Sequence, residues 1–346
     1  MLTDNAMDFF VQWHLTERCN LRCRHCYQEG KASQEMSLAE IKPVVQEIAD
    51  MIEAWSEAYD MSFAPSFNVT GGEPFLRPDL FEILEAMGQK GFELYLLSNG
   101  ILIDREKAER LSQLGVKGIQ VSMEGPERIH ESIRGKGSFA ATLGGIDQLL
   151  TAGLKTTLNM TLSEINAPYL EEMAVLADSL KVDRLGFSRL VPSGRGVGLL
   201  PHMLSKEELK DLYLEVFSIR FPGLEIVTGD PVASQMDRFA ETVDLGAVPM
   251  GGCAAGFSGM TILPDGTVTP CRRLPIPIGN VKEDSLRELW VTSPVLEKLR
   301  DRSQYQGKCG SCNRWANCRG CRAVAYACSQ SRAENDFLAE DPQCFL

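Results

Sequence analysis

DFFVQWHLTERCNLRCRHCYQEG, residues 8–30, passes from a run rich in aromatic and branched apolar residues directly into a loop that crowds Cys19, Cys23 and Cys26. The first half, DFFVQWHL, has the composition of a buried strand. The second half spaces its thiols by three and then two residues, in a chain with only four histidines. Strand, then a loop of potential metal ligands at its carboxyl end, is the pattern from which the rest of the chain is read.

Outward from this unit, strand-like runs recur at FNVT (67–70), FELYLLS (92–98), GIQVSM (118–123), KTTLNMTL (155–162) and RLGFSRLV (184–191). Helix-entry signals lie between them: Ser37 with Glu40 as a capping box, Pro78 followed by Asp79, and Asp104 opening a run that closes at Gly115. Six strands alternating with helices predict an α/β fold with a parallel sheet and crossover helices. Periodicity leaves an open sheet and a partial barrel as alternatives. After residue 200 the pattern changes: SKEELKDLYLEVF (205–217) predicts a capped amphipathic helix, and from about Gly251 the chain becomes loop-rich and dense in Gly, Pro and Cys. The expected division is 1–200, a bridging stretch 201–250, and 251–346.

The net charge of −12 opposes binding to a nucleic-acid backbone, which requires clustered Lys and Arg. No apolar run reaches the ~20 residues of a membrane span, and the start, MLTDNAMDFF, lacks the cationic opening of a signal peptide. A cytoplasmic location is expected, with no nucleic-acid or membrane partner. The eleven cysteines fall only in the first 26 residues and the last hundred, which in a reducing compartment points to metal rather than disulfides.

Three thiolates in one loop can hold three irons of a four-iron, four-sulfide cluster and leave the fourth iron open for chemistry. The alternative is a structural zinc site closed by His14 or His25. At the other end stand Cys253, twelve residues, Gly266, four residues, Cys271, and then Cys309, Cys312, Cys318, Cys321, Cys328 and Cys344. These eight thiols suffice for two further four-iron clusters, with a zinc ribbon as the alternative.

Cys19, Cys23 and Cys26, with His25 before the last, resemble the cluster motif of the radical S-adenosylmethionine (SAM) family. The resemblance extends to TGGEP (70–74), SNG (98–100), SMEG (122–125) and IRGKGSF (133–139). It implies a partial (β/α)6 barrel in which the open iron is chelated by SAM. One electron then cleaves the sulfonium to methionine and a 5′-deoxyadenosyl radical, which abstracts hydrogen from substrate. It also implies that Gly71, Gly72, Glu73 and Pro74 meet the SAM amine, and that Ser98, Asn99, Ser122 and Glu124 contact its ribose and methionine parts. Arg134 then meets its carboxylate. Asn159, Ser188 and Arg195 are weaker candidates for the same edge. No catalytic base stands out: Asp230 in VTGDP and Glu124 are acidic residues near the site edges, but their Asp-Pro and Glu-Gly pairs favour the turn reading.

CGSCNRWANCRGCRAVAYA and the ending EDPQC resemble the SPASM extension of radical SAM enzymes, a small iron-sulfur domain. By that resemblance Cys253, Cys271 and Cys321 serve a nearer auxiliary cluster, and Cys309, Cys312, Cys318 and Cys344 a distal one, giving three 4Fe-4S clusters in all. Cys328 either closes the nearer cluster or is a buried free thiol.

The first expected activity is modification of a ribosomally made peptide, by a thioether or carbon–carbon crosslink. An external reductant such as flavodoxin or ferredoxin is implied, with a separate peptide-recognition protein as an additional partner, because the first strand begins by about residue 8. The alternative is alteration of porphyrin side chains, as in haem or haem d1 biosynthesis, with Arg189, Arg195, Arg272 and Arg273 forming a basic pocket. An iron-sulfur electron carrier is the non-enzymatic reading; it leaves GGEP, SNG and SMEG unexplained.

Overall fold

The computed structural model describes residues 6–30, 34–236 and 251–346. The six expected strands are present as β1 (Met7–His14), β2 (Phe63–Thr70), β3 (Glu93–Ser98), β4 (Gly118–Ser122), β5 (Thr156–Leu162) and β6 (Arg184–Arg189). They lie side by side in chain order, each parallel to the next. Helices α1 (Leu38–Tyr59), α2 (Leu80–Gly88), α3 (Arg105–Gln113), α4 (Glu127–Arg134), α5 (Ser138–Thr151) and α6 (Leu170–Leu180) form the crossovers. Phe67, Val69, Leu96, Val121, Leu158 and Met160 are almost wholly buried, as expected for strands covered by helices.

Two of the three entry signals cap their helices; Asp79 precedes α2 but its carboxylate is taken by Arg77 Nε and Nη2 at 2.8 and 2.7 Å and caps nothing. Ser37 Oγ accepts the Glu40 N–H while Glu40 accepts the Ser37 N–H, completing the capping box of α1. Asp104 caps α3 by accepting the Lys107 N–H at 2.9 Å. Helix α7 (Lys206–Val216) opens with the same box between Ser205 and Glu208.

The sheet continues beyond six strands at both edges. β7 (Glu225–Thr228) adds in parallel to β6, and β8 (Gly259–Ile262) adds in parallel to β1, followed by the antiparallel β9 (Thr267–Thr269) and β10 (Gly279–Asn280). The ten strands form one unclosed sheet, a partial barrel with both edges extended. The C-terminal region therefore does not stand off from the core on cysteines alone. Its first strand lies in the core sheet, where an added Cβ on Gly259 would come within 2.7 Å of the Phe10 carbonyl oxygen. Short helices α8 (Leu286–Thr292), α9 (Pro294–Arg300), α10 (Gly307–Ser311) and α11 (Arg322–Gln330) complete the fold around small apolar clusters, one containing Leu296, Leu299, Tyr305 and Trp315. Among the described residues no helix is long and apolar enough to cross a membrane. Residues 237–250 of the expected bridging stretch lie outside the described residues.

Candidate active site

The carboxyl ends of the parallel strands meet at one cleft, and Cys19, Cys23 and Cys26 line it. Their loop is pinned to the turn after β2: Gly72 N–H donates to the Thr16 carbonyl at 2.7 Å and Glu73 N–H to the Arg18 carbonyl at 2.8 Å. The close approach explains the paired glycines. A Cβ on Gly71 would lie 2.5 Å from Thr16 O, and one on Gly72 would lie 2.2 Å from Arg18 O.

Donors surround the sulfurs. Leu21 N–H reaches Cys19 Sγ at 3.4 Å, and Arg134 Nη1 reaches Cys23 Sγ at 3.8 Å. Burial pushes the Cys19 thiol up to about 11, so iron that takes this sulfur must displace a proton. N–H groups aimed at sulfur suit a thiolate-bound cluster, whose charge they offset.

Gly71, Gly72, Ser98, Asn99, Ser122, His25 and Arg134 also line the cleft, as do Asn159, Ser188 and Arg195. Glu73, Pro74 and Glu124 lie behind that lining. Ser98 Oγ and the Asn99 N–H donate to Glu73, whose carboxyl is nonetheless pushed up to about 7 because burial outweighs these bonds. Pro74 begins the turn Pro74–Leu76 that follows. Glu124 accepts from Arg134 Nη2 at 2.5 Å and lies 3.3 Å from His25 Nε2. Burial alone would raise it, but Arg134 and His25 hold it well below the usual carboxylate range. Glu124 thus orients Arg134 and His25 from the rear.

Among the cleft residues that sequence reading passed over are Tyr27 and Gln28. Tyr27 Oη lies 3.4 Å from His14 Nε2 and Gln28 Nε2 lies 3.3 Å from His14 Nδ1. Burial, aided by the Arg272 charge, lowers His14 to about 3, so the imidazole is neutral. Their signal was proximity to Cys26, which periodicity does not translate into direction.

A second cavity, of about 200 Å³, is lined by Cys309, Cys312, Cys318 and Cys344. Each sulfur accepts an N–H: from Arg322 to Cys309 (3.6 Å), Arg314 N to Cys312 (3.4 Å), Gly320 N to Cys318 (3.4 Å), and Gln235 to Cys344 (3.5 Å). Cys271 and Cys321 border one apolar cluster and Cys253 and Cys271 another, and the Cys253 N–H donates to the Cys318 carbonyl at 3.1 Å. Cys328 sits seven residues beyond Cys321, about 10 Å along α11 at the helical rise. Its Sγ donates to Met203 Sδ at 3.7 Å, within apolar surroundings.

Residues 13–177 match the Radical SAM superfamily, and residues 253–322 match the SPASM iron-sulfur cluster-binding domain. The AdoMet-dependent heme synthase of Methanosarcina barkeri is 31% identical, covering 96% of this chain and 95% of that protein. The mycofactocin maturase MftC of Mycobacterium ulcerans is 30% identical, covering 91% of this chain and 83% of that protein. In structure, SuiB of Streptococcus suis bound to S-adenosylmethionine superimposes with a TM-score of 0.79 over 99% of this chain and 78% of SuiB, at 17% identity. The chain belongs to the radical SAM superfamily and carries a SPASM domain. It is a radical SAM enzyme, and its class works with SAM and iron-sulfur clusters.

Proposed function

We propose that the chain removes hydrogen from a side chain of an anionic tetrapyrrole. The observation that carries this reading is the cleft wall itself: Arg195, Arg272 and Arg273 line it, and no Asp or Glu does among the described residues. None of the three has a carboxylate partner among the described residues. The Nε atoms of Arg195 and Arg273 are shielded from water without a hydrogen-bond acceptor, and Arg272 stands over the Tyr27 ring at 5.7 Å. The Arg189 carbonyl takes one Arg273 donor and the Tyr27 ring faces Arg272, so these guanidinium groups are only partly compensated and the remaining donors suit an anion. Arg189, expected in the same pocket, is instead saturated by Asp230, Asp341 and Gln343, so three arginines remain for the substrate.

SAM, when bound beside a cluster held by Cys19, Cys23 and Cys26, would supply the hydrogen-abstracting chemistry. The chain's residues do the rest by position. In this proposal Cys19, Cys23 and Cys26 hold the SAM-binding cluster, and Glu73, Ser98, Asn99, Ser122 and Arg134 orient SAM. The arginines fix substrate carboxylates beside it. Cys309, Cys312, Cys318 and Cys344 hold the distal auxiliary cluster, and Cys253, Cys271 and Cys321 the nearer one, with Cys328 outside both. The same proposal takes residues 1–200 as the radical core, 201–250 as a bridge and 251–346 as the auxiliary-cluster region, in a cytoplasmic protein served by a flavodoxin- or ferredoxin-like reductant.

A ribosomal peptide is the second reading, supported by the similarity to the Mycobacterium ulcerans maturase; the arginines would then receive peptide carboxylates. The deciding assay presents the reconstituted, reduced enzyme and SAM with an iron porphyrin bearing free carboxylates, its methyl ester, and an acidic cysteine-containing peptide. Mass change of the free acid alone supports the tetrapyrrole reading; change confined to the peptide overturns it.

A further inference from the structure

The conversion of Arg189 from expected substrate ligand to saturated internal group raises the question of what it secures. It ends β6 at the cleft and is 2% exposed. All five of its N–H groups are used. Nε and Nη2 donate to Asp230 at 2.5 and 2.9 Å, Nη1 donates to Gln343 Oε1 at 2.9 Å, and Nη1 and Nη2 donate to the two oxygens of Asp341 at 2.9 and 2.8 Å. A fork this fully engaged, in so dry a place, has one geometry.

Asp341 in turn touches both sets of C-terminal cysteines. Its Oδ2 accepts the Cys321 N–H at 2.7 Å, and its backbone carbonyl accepts the Cys344 N–H at 3.1 Å. Oδ1 also accepts the Gln343 N–H at 3.0 Å, which tightens the loop carrying Cys344. Arg273, two residues past Cys271, donates to the Arg189 carbonyl at 3.2 Å. A continuous set of buried hydrogen bonds thus runs from the cleft edge to the backbone of one residue in each cysteine set.

We propose that Asp341 fixes the two auxiliary-cluster sites to each other and that Arg189 fixes both to the cleft, making them the positioning residues of electron transfer. The inference rests on the assignment of the cysteines to clusters and is independent of the substrate. Cys318 and Cys321 already join the two sets through Arg319 and Gly320, and what Asp341 adds is the tie between Cys321 of the nearer set and the loop that carries Cys344 of the distal one. Outer-shell partners of metal ligands commonly alter affinity or activity by about 10–100-fold when removed.

The test uses the full chain, anaerobically reconstituted, with iron and sulfide counted per chain. Redox titration followed by electron paramagnetic resonance reads the midpoint potential of each auxiliary cluster and the magnetic coupling between them when both are reduced. Asp341→Ala is expected to shift both potentials and weaken the coupling, with the signal of the cluster at Cys19, Cys23 and Cys26 in its wild-type position. Where that variant fails to fold, Asp341→Asn keeps the volume and an acceptor for Cys321 but loses the charge facing Arg189, and is expected to shift the potential of the nearer cluster. A folded variant with wild-type potentials and coupling overturns the proposal, as does wild-type protein that takes up no auxiliary iron.

Discussion

Ser98 Oγ donates to Glu73 Oε1 at 2.9 Å, tying the turn after β3 to the turn after β2 behind the cysteine-lined cleft. The bond sits beside a carboxyl raised from its ordinary 4.5 to about 7 by burial. A folded-state value above the unfolded one means that the native protein holds this proton more tightly. Without SAM, stability from this group is present below pH 4.5 and is lost as pH rises to about 7. If the SAM ammonium binds here it needs the ionised form, so SAM affinity should rise over the same window. In Glu73→Gln, equilibrium binding should weaken by about tenfold or more, the scale of one charged hydrogen bond, and melting temperature should lose much of its slope between about pH 5 and 8. A Glu73→Gln enzyme that binds SAM as the wild type does would remove Glu73 from the SAM site.

Replacing Cys19, Cys23 and Cys26 together by Ala should remove the iron of one cluster and abolish formation of 5′-deoxyadenosine. The C-terminal iron should stay, because its cysteines occupy a separate cavity. Iron analysis with chromatography of the nucleoside checks both halves.

Cys321→Ala and Cys328→Ala should separate cleanly. The first should lower the iron content, whereas the second should leave it unchanged and cost about 1 kcal/mol for a vacated apolar contact with Met203. Equal iron loss in both would place Cys328 in the nearer cluster.

Gly145→Ala tests the support beneath the cleft. A Cβ there would fall 2.0 Å from the Gly100 carbonyl oxygen, against the turn that carries Asn99. Destabilisation of about 2–3 kcal/mol is expected from overpacking against backbone, read as a lower melting temperature, with weaker SAM binding.

Arg272→Ala and Arg195→Ala should raise KM for a carboxylate-bearing substrate by about tenfold each, the range of a lost charge-assisted hydrogen bond, with SAM affinity within about twofold of wild type. Steady-state kinetics at fixed SAM separates the two. An unchanged KM would show that the substrate is held elsewhere.

The strand and helix alternation was legible because it is local: capping boxes at Ser37 and Ser205 and the run of buried strands act over a few residues. The edge strands were not. β8 is four residues, GMTI, and becomes a strand only because β1 offers it an unpaired edge from the far end of the chain, a long-range contact without a periodic signature.

By itself the sequence determined the kinds of ligand available and their grouping: three thiols in one loop after a strand, eight more near the other end, and glycines where the chain must pass close to itself. Spacing along the chain sets such things because neighbours in sequence are neighbours in space. Tertiary structure alone decided which charges were already spent. Arg189 reads from its one-letter code like Arg195, yet Asp230 and Asp341, 41 and 152 positions away, neutralise it, while Arg195, Arg272 and Arg273 meet no carboxylate among the described residues. Pairing between residues so far apart is set by where the sheet edge and the C-terminal loop come to rest, and burial there fixes which guanidinium groups still lack a carboxylate partner.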